Sequence, residues 1–120
     1  SNQYPEAEGY SEKESKDDYT LYSYKATKNI IGLNYRQSSF TKINIEAFSR
    51  DTFYLFSDGY GDQFDYMNKK KFKMSQLKKE LLDVQDLSMS AQSEHLYDIH
   101  HKWKGHTGQT DDIVVIGLRM

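Results

Sequence analysis

The apolar and polar positions of this chain change their period twice. Residues 1–18 hold almost nothing to bury and carry Glu6, Glu8, Glu12, Glu14, Asp17 and Asp18. Such a composition does not offset the entropy of ordering, so it reads as a flexible segment, or as an ordered excursion that has lost its partner, ahead of a folded one at 19–120. Thr20-Leu21-Tyr22-Ser23-Tyr24 is rich in residues that suit a pleated surface and predicts a strand. Asn29-Ile30-Ile31-Gly32 reads as a strand end and a turn. Phe40 to Phe48 alternates apolar and polar residues, the period of a strand with one wet face. Ser49-Arg50-Asp51 then reads as a turn. Thr52-Phe53-Tyr54-Leu55-Phe56 is a continuous apolar run and predicts a central strand buried on both faces.

Beyond the lysine run the period lengthens. Ser75 is placed to cap a helix whose apolar positions are Leu77, Leu81, Leu82 and Val84. Ser90 is placed to cap a second, with Ala91, Leu96, Ile99 and Trp103 toward a core and Gly105 just past its end. Ile113 to Leu118 predicts a last buried strand. Strands, then two helices, then a strand make an α+β plan: a mostly antiparallel sheet packed against two helices.

Composition narrows the function classes. A length of 120 residues suits one compact domain. Net charge is -2 and the pI is near 6.1, so the footprint of a nucleic-acid binder is missing. No apolar run reaches the ~18 residues of a membrane span, so no membrane contact is expected of this segment. There is no cysteine. That removes disulfides, thiolate metal sites and a cysteine nucleophile, and it fits a cytoplasmic location. Ten tyrosines fit half-buried strands.

The candidate chemistry lies in carboxylates. Asp58 follows one strand directly, and Asp111 and Asp112 directly precede another. If these strands are antiparallel neighbours, the end of one and the start of the other share an edge of the sheet. Carboxylates without histidine or cysteine suit a hard cation such as Mg²⁺ or Mn²⁺. Gly59, lacking Cβ, lets backbone come close. Asp62 could reach the same edge as an outer ligand or an orienter of water. The plainer reading is that Asp-Gly after a strand marks a turn. His95, His100, His101 and His106 have no metal-ligand spacing and read as ordinary helix histidines. Lys69-Lys70-Lys71 reads as a solvated turn, and Trp103 as a core anchor.

The wider strings carry a resemblance. Phe53 to Phe64, with Ser57-Asp58-Gly59-Tyr60-Gly61-Asp62 at its centre, resembles the "strand, Ser-Asp-Gly, aromatic, x, Asp" signature of the type 2C metal-dependent protein phosphatases, in particular their SpoIIE-type branch. Gln109 to Ile116, with Asp111-Asp112 before an apolar run, resembles that family's closing motif. Lys70-Lys71-Phe72, the two helices and Trp103-Lys104-Gly105 resemble the stretch between. Ile31-Gly32 and Phe40 to Ile45 resemble the segment before. The resemblance spans about residues 20–120 and implies the C-terminal part of a phosphatase domain, a partial type 2C-like sandwich.

The family also uses an earlier Asp in an Asp-Gly-x-Gly-His-Gly context, and no such string stands here. The resemblance thus implies half of a two-ion Mg²⁺ or Mn²⁺ centre, with Asp58, Gly59, Asp111, Asp112 and Asp62 as its metal positions. No protein nucleophile is implied, because a metal-activated water attacks the phosphoserine or phosphothreonine. The implied partners are a phosphorylated signalling protein, such as an anti-sigma-factor antagonist, and a sensor domain N-terminal to this segment in a parent protein anchored or not to a membrane. An incomplete sandwich would leave a sheet edge that invites homodimer pairing. The competing expectation is a non-catalytic interaction or output domain of a bacterial sensor or regulator.

Overall fold

The computed structural model describes residues 9–25 and 45–120. It divides into two compact units, 1–47 and 48–120. In the first unit, β1 (Glu12–Lys16) pairs antiparallel with β2 (Tyr19–Ser23), with Lys16 opposite Tyr19. The two-residue connection works because Asp17 takes φ 54°, a left-handed conformation that Asp tolerates. The Ser15 and Thr20 hydroxyls meet at 3.1 Å, and the Ser11 hydroxyl donates to the Ser23 carbonyl at 2.9 Å. A polar stretch that composition marks as flexible therefore contains a strand. Its ladder is made by backbone groups, which the charge of the side chains does not report. The expected strand end at 29–32 and residues 40–44 of the expected strand 40–48 lie outside the described residues. Ile45 to Phe48 are not in a strand.

The second unit holds β3 (Thr52–Phe56), a one-turn helix α1 (Gly59–Asp62), α2 (Met74–Asp83), α3 (Met89–Lys104) and β4 (Val115–Arg119). β3 and β4 are antiparallel, Thr52 opposite Arg119 and Phe56 opposite Val115. The coarse class is α+β with antiparallel pairing, as expected. Among the described residues it is two separate two-stranded sheets with three helices.

The core forms where the helices meet. Tyr60, Phe72, Leu77, Leu81 and Leu96 are buried together, with Tyr54, Met74, Ile99, Trp103, Ile113 and Val115 packed around them. Burial of each such side chain contributes about 1.5–3 kcal/mol. The Tyr60 hydroxyl donates to the Leu96 carbonyl at 2.6 Å, which ties α1 to α3. The Phe72 ring stands edge-on to both Tyr60 and Trp103.

Three expectations are corrected here. β3 is not buried on both faces, and β4 is not a buried strand: Leu55, Ile116 and Leu118 are exposed. A two-stranded sheet can cover only the face that the helices reach. The cap of α2 is Lys73, at φ 79°, and Ser75 lies inside the helix. The cap of α3 is Ser88, whose hydroxyl accepts the Ala91 N–H at 3.2 Å, and Ser90 lies inside. The apolar face of α2 is as expected, with Leu77, Leu81 and Leu82 buried and Val84 buried just past its end. Gly105 ends α3 at φ 52°, its N–H bonded to the His101 carbonyl.

Candidate metal site at one end of the β3–β4 pair

Antiparallel pairing brings the end of β3 to the start of β4, and three contacts fix the junction. The Ser57 N–H donates to the Val114 carbonyl at 2.9 Å. The Val114 N–H donates to the Ser57 hydroxyl at 3.0 Å, and that hydroxyl lies 3.3 Å from the Asp112 carbonyl, to which it donates. Asp58 and Asp112 are thereby held at one end of the sheet, although over fifty residues separate them in sequence.

Gly59 packs against this junction. A Cβ there would collide with the Asp112 carbonyl oxygen and lie 2.9 Å from its carbon. The glycine is required because the backbones of the two motifs touch. Gly61 is needed for a similar reason, since a Cβ there would lie 2.8 Å from the Met74 nitrogen at the start of α2.

The carboxylates are disposed unequally. Asp58 occupies the N-cap position of α1 but makes no side-chain cap bond. Asp111 accepts the Asp112 N–H at 2.7 Å through its own Oδ1, and the Gln109 side chain donates to the Asp111 carbonyl at 2.8 Å. Asp62 turns toward Lys71, 3.7 Å away. Among the described residues no three His, Cys, Asp or Glu side chains stand grouped to hold a metal ion. The donor chemistry is nevertheless all oxygen, which is the set a hard cation accepts.

A buried glutamine aligns the loop that carries Asp111. Gln63 is fully buried. Its Nε2 donates to the Gly108 carbonyl at 3.1 Å, and its Oε1 accepts the Thr110 N–H at 3.2 Å. Its backbone carbonyl accepts from the Trp103 indole at 2.8 Å and from the Phe72 N–H at 2.9 Å. Asp65 adds a second clasp. Its carbonyl accepts the Thr107 hydroxyl at 2.9 Å, and its carboxylate accepts the N–H groups of Lys69 and Met67. The Lys69 N–H in particular holds the Asp65 carboxyl below its ordinary pKa. Ser57, Gly61 and Gln63 stood in the quoted motif string but, like Asp65, were given no site role by sequence reasoning. They all stand in the string 57–65 around Asp58, so the signal was their nearness to the motif.

The histidines take no part. His95 lies 3.3 Å from Glu80. His100 is buried against Tyr60, with both ring nitrogens unpartnered. It borders a cleft of about 520 Å³ between α3 and the sheet, lined also by Tyr54, Tyr97 and Lys104. Neither Asp58 nor Asp111 reaches that cleft. Trp103 is a core anchor, as expected. Lys71 lies over the Phe64 ring at 5.7 Å.

Comparison with family models, with curated proteins and with solved structures finds no match. No helix among the described residues is long and apolar enough to cross a membrane.

Proposed function

We propose that residues 48–120 are the C-terminal, metal-binding portion of a type 2C-like, SpoIIE-type phosphatase domain acting on phosphoserine or phosphothreonine of a signalling protein. The observation that carries this reading is the junction of Gly59 with the Asp112 carbonyl, clasped by Ser57 and Val114. An ordinary Asp-Gly turn has no need to touch a second Asp motif over fifty residues away. Here the contact sets two carboxylate-bearing loops side by side.

Mg²⁺ or Mn²⁺, when bound, supplies the charge that lowers the pKa of a water and offsets charge on transferring phosphoryl oxygens. Asp58 and Asp111 are the residues that would hold it. Asp112, with its backbone fixed by Ser57, and Asp62, now turned to Lys71, would orient water from further out. Gln63 keeps the Asp111 loop in register. With no Asp-Gly-x-Gly-His-Gly string in the sequence, binding by this chain is weak and hydrolysis negligible.

The test is Mn²⁺ titration of the ¹⁵N-labelled chain. Paramagnetic broadening should begin at Gly59, Asp111 and Asp112 and should fade in the Asp58→Asn, Asp111→Asn double variant. Broadening that starts elsewhere, or that the double variant leaves unchanged, overturns the assignment. Brisk hydrolysis of p-nitrophenyl phosphate with Mn²⁺, abolished by Asp58→Asn, would overturn the statement that this chain alone is inactive.

A further inference from the structure

The loop between α1 and α2 carries four exposed lysines, Lys69, Lys70, Lys71 and Lys73, in a chain whose net charge is -2. Two large apolar side chains stand out beside them: Tyr66 is 67% exposed and Met67 51%. A turn that is merely solvated, as the lysine run alone suggests, has no use for either. The loop is also fixed in shape. Phe64 and Lys71 bridge its base, and the Asp65 N–H donates to the Lys70 carbonyl at 2.8 Å. At its tip the Asp65 carboxylate accepts the N–H groups of Met67 and Lys69, and Asn68 takes φ 55°. Tyr66 rests on the end of α3, where a Cβ on Gly105 would lie 2.8 Å from the Tyr66 Cβ. The loop adjoins the carboxylates. Lys71 reaches back to Asp62 at 3.7 Å, and the Lys73 N–H donates to the Gly61 carbonyl at 2.7 Å.

We propose that this loop is the docking surface for the substrate, an acidic protein segment that bears the phosphoserine. The inference rests on the phosphatase reading and adds where, and by which side chains, the substrate is held. Charge selects the partner. Lys69, Lys70, Lys71 and Lys73 attract a phosphoryl dianion and acidic neighbours. The loop's own carboxylate, on Asp65, is taken up by backbone N–H groups and does not oppose them. The chain as a whole is acidic, so a long polyanion such as nucleic acid is repelled beyond this loop, whereas a short segment meets the loop alone. Tyr66 and Met67 supply what charge cannot, an apolar hold on a side chain next to the phosphoserine. Tyrosine suits that task because it offers a large contact area with few rotors to freeze. A loop already fixed in shape loses little freedom on binding, so more of the contact energy appears as affinity. Lys71, paired with Asp62, joins the lysine ridge to the carboxylate-bearing end of the β3–β4 pair.

The test is titration of the ¹⁵N-labelled 120-residue chain, in EDTA, with a short acidic peptide that carries one phosphoserine beside a leucine. Amide shifts should concentrate at Tyr66, Met67, Lys69, Lys70 and Lys71, and the affinity should fall as salt is raised. Lys69→Glu and Lys70→Glu should each weaken binding about fivefold or more, the scale of an exposed ion pair. Tyr66→Ala should weaken it as well. Lys79→Glu, an equal change of charge at an exposed position on α2, should bind as the wild type does. The same peptide with unmodified serine should bind more weakly. No binding, shifts centred elsewhere, equal affinity for the two peptides, or equal losses in Lys79→Glu and Lys70→Glu overturn the proposal. A single-stranded oligonucleotide that binds at these amides where the phosphopeptide does not overturns the choice of partner. Mn²⁺ broadening at Gly59 and Asp111 should persist in Lys69→Glu, so the docking surface and the metal assignment can fail separately.

Discussion

At the scale of residues, the β3–β4 junction depends on the lack of one methyl group. Gly59→Ala would drive Cβ into the Asp112 carbonyl, and backbone on both sides leaves little room to yield. The variant should lose about 1–3 kcal/mol of stability in urea unfolding, the usual range for overpacking. His100 sets a second expectation. Burial, with the nearby charges of His101 and Lys104, holds its imidazole below the ordinary pKa. The unfolded chain therefore takes up the proton first as pH falls. The contribution of neutral His100 is complete above about pH 6.5 and is lost as pH drops through the lowered folded value. Urea unfolding between neutral and mildly acidic pH should show wild type losing stability relative to His100→Leu. The leucine variant should also be at least as stable at neutral pH, since it removes an unpartnered buried polar group. An equal pH response in both proteins would contradict this.

At the scale of elements, what sequence reveals depends on whether the signal is local. The apolar stripe of α2 and the Gly105 stop of α3 were legible, because helical spacing and a left-handed cap are properties of a few consecutive residues. The N-caps were not. Two serines, Ser88 and Ser90, stand near the start of α3, and both satisfy the composition of a cap. Only backbone geometry chooses between them: Ser88 has extended φ and ψ, so its hydroxyl can reach the Ala91 N–H. Ser88→Ala should cost about 1 kcal/mol in thermal or urea unfolding, and Ser90→Ala should cost little. The reverse order would contradict the cap assignment. Helix α1 was hidden for another reason. Four residues are too few to show a period, and the turn persists because Tyr60 is anchored on Leu96.

At the scale of the whole molecule, the large buried side chains belong to the unit 48–120. That unit should fold by itself. A chain of residues 48–120 should unfold cooperatively with the Tyr60–Leu96 region protected in hydrogen exchange. Non-cooperative melting would show that the first unit is needed. The sheet was misjudged at this scale. An apolar run such as Thr52 to Phe56 says that a strand has two faces fit for burial, and it does not say how many layers are at hand to bury them.

The sequence by itself determined the antiparallel α+β plan, the apolar faces of the helices, and the two aspartate motifs at strand ends. Each is written in residues close together in the chain. Only the tertiary structure decided that Asp58 and Asp112 share one end of the β3–β4 pair, that Gly59 is a point of backbone contact, and that Gln63 steers the Asp111 loop. Those facts join positions more than forty residues apart. No periodicity encodes them, because they exist only once β3 and β4 have found their register.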